Sequence, residues 1–120
     1  MKNVHLSVWT ENFTQSIEAA SMSKGNHHEE KFLFKKLQES VAAMKKICKK
    51  LQEADDPTNF YNNLCIYIQE AKNCMYWYER SLDYEIVNLS NSQLILSQGN
   101  SMINVLEATL RVIKYQYTIN

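Results

Sequence analysis

The stretch Leu51-Gln52-Glu53-Ala54-Asp55-Asp56-Pro57-Thr58-Asn59-Phe60 holds the only proline in the chain, set between two long segments of helical periodicity. Inside a helix a proline costs about 3 kcal/mol. At the first helical position it costs little, because its missing N–H would have no intrahelical partner there. Asp56, just before it, is a good N-cap, since a short carboxylate accepts from the free N–H groups of the first turn. The stretch reads as the end of one helix near Ala54 and the start of another near Thr58.

Upstream, a helix is expected from about Glu29 to Ala54. Leu33, Leu37, Val41, Met44, Ile47, Cys48 and Leu51 share one stripe at about 100° per residue. Lys31, Lys35, Lys46, Lys49 and Lys50 fall on the opposite side. Downstream, a helix from about Thr58 to Leu82 carries Phe60, Leu64, Tyr67, Ile68, Ala71, Met75, Tyr78 and Leu82 on its main stripe. Ile66, Tyr76 and Trp77 point well away from that stripe, so the helix has two apolar sides. Such a helix lies at a bundle centre or is covered by another subunit.

Two outer segments complete the pattern. Leu6, Trp9, Phe13, Ile17 and Ala20 recur at three- and four-residue steps in a first helix, Val4 to Met22. Ser23 to His28, with Gly25, reads as a loop. Asp83 to Leu89 is the last break, with Asn88 or Ser90 as its cap. The fourth helix, Ser90 to Tyr117, has Leu94, Met102, Val105, Leu106, Thr109, Val112 and Ile113 as its core face, widened by Leu96, Ile103, Leu110 and Tyr117. Gly99 inside it costs about 1 kcal/mol relative to alanine, and marks a close helix contact or a local irregularity. Short connections make successive helices antiparallel neighbours. The expected fold is all-α, a single-domain antiparallel up-down-up-down four-helix bundle.

Composition sets limits on function. The 120 residues carry 13 basic and 13 acidic side chains, a formal net charge of zero, so no bulk charge draws the chain to nucleic acid. Cys48, Cys65 and Cys74 are odd in number and form no CxxC, which suggests free thiols in a reducing cytoplasm. No run approaches the roughly 18 apolar residues of a transmembrane helix, and the first residues lack the apolar core of a signal peptide. A soluble, cytoplasmic protein without membrane partners is expected.

Catalytic patterns are weak. His27-His28-Glu29-Glu30 resembles a metal cluster in composition only: adjacent histidines diverge, and the two glutamates suit the positive end of a helix dipole. No Glu-x-x-His occurs, so a di-iron bundle is disfavoured. With only Gly25 and Gly99 there is no phosphate-binding loop. The reading is non-enzymatic, with no cofactor, metal or catalytic residue. The lysine side of the second helix is the candidate face for RNA or another acidic partner, although Glu39 and Glu53 share it. Ile66, Tyr76, Trp77, Leu96, Ile103 and Leu110 are the candidate subunit interface.

Four segments resemble the four-helix-bundle proteins typified by the 23S rRNA intervening-sequence protein. Leu6-Ser7-Val8-Trp9 is similar to the family's Leu-x-Val-Trp opening. Phe32 to Ala54 corresponds to its long second helix, Asn59 to Leu64 to its Phe-x-x-x-Leu start, and Glu70 to Trp77 to its third-helix segment. The family often carries Ser-Ile-Pro-x-Asn-Ile-Ala-Glu-Gly in its second helix. Val41 to Ala54 has neither that proline nor that glycine, so a straighter helix is expected. The resemblance implies a homopentamer without catalytic residues. A related branch, the accessory variability determinant of diversity-generating retroelements, implies an alternative role in binding a reverse transcriptase and RNA.

Overall fold

The computed structural model describes residues 4–21 and 28–118. It is all-α, with four helices: α1 Val4–Ala20, α2 His28–Glu53, α3 Pro57–Asp83 and α4 Ser92–Thr118. The only β feature among the described residues is an isolated bridge between Ser21 and Val87. The arrangement is compatible with a four-helix bundle. α2 packs most extensively on α3, followed by α3 on α4, α1 on α2 and α1 on α4.

Asp56 and Pro57 do what their chemistry requires. Asp56 is extended, at φ −136° and ψ 158°, and Pro57 opens α3. The Asn59 N–H donates to Asp56 Oδ1 at 2.9 Å, and Asn59 Nδ2 donates to Oδ2 at the same distance. α2 begins at His28, one residue earlier than expected, with Glu29 and Glu30 in its first turn. α4 begins at Ser92, two residues later than expected. Asn88 accepts from the Ser90 N–H through Oδ1 at 2.9 Å, turning the chain before the helix rather than capping it.

The expected α2 stripe is buried throughout, and so is that of α3 apart from the half-buried Leu82. α4 is different. Met102, Leu106 and Ile113 of its expected core face are buried, joined by Ile95, Gly99 and Ile103, whereas Leu94, Val105 and Val112 are about half exposed and Thr109 is also outside. Both sets satisfy a helical period, so spacing alone could not choose between them. Trp9, expected in the α1 core face, is 38% exposed.

Gly99 fixes the choice. A Cβ at this position would lie 2.3 Å from Met75 Sδ and 3.0 Å from both Met75 Cε and Phe13 Cε1. The glycine therefore lets the α4 backbone touch side chains of α3 and α1, and places the 95/102/106/113 side inward.

α3 ends in a Schellman turn. Glu85 has φ 56°, its N–H donates to Leu82 O at 3.1 Å, and the Ile86 N–H donates to Ser81 O at 3.1 Å. Ile86 and Val87 are thereby turned inward, at 3% and 1% exposure. The Asn88 N–H donates to Ala20 O at 2.6 Å, fastening this turn to the end of α1.

Two outcomes test this packing. Gly99→Ala gains about 1 kcal/mol of helix propensity but overpacks the contact by about 1–3 kcal/mol, so urea denaturation should show net loss. In a Met75→Ala background that loss should shrink by at least about 1 kcal/mol. Glu85→Gly removes a left-handed non-glycine residue and should raise stability by about 0.5–1 kcal/mol.

Candidate binding surfaces

The lysines of α2 stand on the solvent side of a helix whose other side is core. Lys31, Lys35, Lys46, Lys49 and Lys50 are all exposed, and among the described residues none forms an ion pair. Two other lysines of α2 are engaged. Lys45 Nζ donates to Glu18 Oε1 of α1 at 3.0 Å, and Lys36 lies 3.9 Å from Glu39. The free lysines form two groups, because Lys35 and Lys46 are separated by about 16 Å along the helix axis. Glu39 lies in the gap and Glu53 at the far end, both exposed. The face is thus a pair of small basic patches rather than a continuous stripe.

A second surface forms where α2 meets α3. Trp77 is half-buried, with its ring met edge-on by Phe32 at 6.0 Å and by Tyr76 at 4.8 Å. Lys36 Nζ lies 5.6 Å from the Phe32 ring and 6.0 Å from the Trp77 ring, and the Arg80 guanidinium lies 5.9 Å from Tyr76. A cation near an aromatic ring face contributes about 0.5–1 kcal/mol at an exposed site. The cluster is therefore partly satisfied within the chain. Phe32, Lys36 and Arg80 were not expected here. Their signal lay in the spacing, for Lys36 follows Phe32 and Arg80 follows Tyr76 by four residues, the step that stacks side chains on one helix face.

The candidate interface residues separate. Ile66 and Tyr76 are 51% and 52% exposed. Trp77, Leu96 and Leu110 are partly buried against the chain's own core. Ile103 is a core residue at 7% exposure and has no surface to offer a neighbour. The rotation of α4 that buries Ile103 turns Leu94, Val105, Val112 and Tyr115 outward instead. Beside them, Trp9, Asn12 and Phe13 of α1 and Gln98, Ser101 and Val105 of α4 border a groove of about 440 Å³.

His28 is exposed at the start of α2, and His27 lies outside the described residues. Among the described residues no cluster of histidine, cysteine, aspartate or glutamate has the geometry to hold a metal ion. No described helix is long and apolar enough to cross a membrane.

A buried polar contact links α1 and α3. Thr10 Oγ1 of α1 donates to Leu6 O at 2.7 Å and lies 2.5 Å from Tyr67 Oη of α3. Thr10 has one hydroxyl proton and uses it on Leu6, so Tyr67 is the donor between the two. The 3.6 Å contact of Tyr67 Oη with Met102 Sδ is then packing rather than a second donation. Burial pushes the Tyr67 phenol far above its ordinary range. Cys74, wholly buried, is pushed up to about 11, chiefly by burial and against a hydrogen bond with Ser40. Cys48 is also buried, and Cys65 is partly exposed.

No family model, curated protein or solved structure matches the chain.

Thiol chemistry reads this arrangement. At pH 8 a disulfide reagent should modify Cys65 within minutes. Cys48 and Cys74 should react only as the fold opens, and all three should react at once in denaturant. Rapid native labelling of Cys74 would contradict its burial.

Proposed function

We propose that the chain is a non-catalytic, oligomeric binding or scaffold protein of the cytoplasm, of the kind its resemblance to the 23S rRNA intervening-sequence proteins implies. One observation carries the reading: Trp9, Leu94, Val105, Val112 and Tyr115 are 38–71% exposed on the outer side of α1 and α4. An exposed apolar surface of this kind marks an interaction face. The proposed topology is antiparallel, up-down-up-down. It is supported by contacts whose numbers rise on one helix as they fall on its neighbour. Trp9 shares a groove with Val105, Phe13 meets Gly99, and Ala20 shares a groove with Ile95. Phe32 meets Trp77, and Ser40 meets Cys74. The buried free thiols suit a reducing compartment.

A native mass spectrum of protein purified without nuclease tests this. The expected result is an assembly of several copies, five if the resemblance extends to quaternary structure. A bare monomer at micromolar concentration would remove the oligomeric reading.

The exposed, unpaired lysines of α2 favour a second reading, an accessory protein that binds RNA and a reverse transcriptase. Binding through phosphate contacts weakens steeply with salt. Replacing Lys46, Lys49 and Lys50 with glutamate should then abolish RNA binding. Unchanged affinity would exclude that face.

A further inference from the structure

Glu29 of α2 and Arg80 of α3 border one groove of about 360 Å³, and among the described residues neither forms an ion pair. A carboxylate and a guanidinium that share a groove without bridging it are both free to meet a ligand's opposite charges. Four aromatic rings line the same groove, those of Phe32, Tyr76, Trp77 and Tyr84. All but Trp77 are exposed. The lining comes from α2, α3 and the first residue after α3, with none from α1 or α4. The site is therefore separate from the exposed apolar face that carries the oligomeric reading.

The rings are set to receive a cation. Phe32 and Tyr76 stand nearly perpendicular to Trp77, at 80° and 83°. Rings so arranged present faces in more than one direction, and an aromatic face attracts positive charge. The cluster already shows this affinity within the chain. Lys36 Nζ lies 5.6 Å from the Phe32 centroid and 6.0 Å from that of Trp77, and the Arg80 guanidinium lies 5.9 Å from Tyr76.

Charge separates three classes of ligand. A polyanion such as nucleic acid needs a track of cations, whereas exposed Glu79 and Asp83 stand near Arg80 on α3. A simple cation leaves Arg80 opposing it. A zwitterion satisfies both charges of the groove. Its carboxylate takes the planar fork of Arg80 in a bidentate contact, while its ammonium meets the rings and Glu29. The rings also select among ammonium groups. A primary ammonium has three donors to satisfy, and of the two free charged groups only Glu29 accepts. A quaternary ammonium has no N–H, and its methyl groups pack directly on ring faces.

We propose that the α2/α3 groove binds a small soluble zwitterion that joins a quaternary ammonium to a carboxylate, the ammonium against Phe32, Tyr76 and Trp77 and the carboxylate on Arg80.

Glycine betaine, titrated into the 120-residue chain, is the probe. Binding is read by calorimetry on the unaltered protein, and from Trp77 fluorescence in a Trp9→Phe background. Both should saturate. Glycine, which lacks the methyl groups, should bind at least about fivefold more weakly. Phe32→Leu and Tyr76→Leu, at exposed positions, should keep the helical circular dichroism and each weaken betaine roughly two- to fivefold. Arg80→Gln should weaken betaine by about tenfold or more. It should not weaken tetramethylammonium, which has no carboxylate. A betaine response that does not saturate overturns the proposal. So does glycine binding as tightly as betaine, or Arg80→Gln acting alike on betaine and tetramethylammonium.

Discussion

The contact of Gly99 with Met75 and Phe13 fixes how α4 is rotated, and much of the molecule's outward character follows from that rotation. Only a residue without a Cβ lets the α4 backbone sit against these two side chains. With Gly99 inward, Ile95, Met102, Leu106 and Ile113 fill the core. The second apolar stripe of the same helix then has no place but the surface. A helix this rich in apolar residues could have been buried on either side. The glycine breaks the tie at a cost of about 1 kcal/mol in helix propensity.

The rest of the interior holds the remaining helices in register. Tyr67 is wholly buried, and its hydroxyl needs a partner because an unsatisfied buried donor costs about 1–3 kcal/mol. Thr10 supplies that partner from α1. Small residues, Ser40 on α2 and Ala71 and Cys74 on α3, are all buried on the two helices that pack most extensively. At one end the left-handed Glu85 turns Ile86 and Val87 inward onto the tip of α1. These are stabilising roles.

That outside is polarised. α2 presents free lysines in two groups and the α2/α3 edge presents aromatic rings partly covered by Lys36 and Arg80, while α1 and α4 present uncharged, partly apolar surface. The chain thus carries different chemistry on different sides.

The sequence by itself determined the four helices, the breaks at Asp56–Pro57 and between α3 and α4, and the core faces of α2 and α3; the loop expected around Gly25 lies outside the described residues. Those signals are local or strongly periodic: Asp56 and Pro57 satisfy a helix start within four residues, and one clean apolar stripe on α2 leaves no choice of buried side. It also located the exposed lysines, because charged residues opposite such a stripe can only face water. Only the tertiary structure decided which stripe of α4 is buried, that Ile103 belongs to the core, that Trp9 stands partly outside, and that Phe32 joins Tyr76 and Trp77. Two stripes on one helix have the same period, and only the shape of the surface it docks on, here Met75 and Phe13 against a missing Cβ, tells them apart.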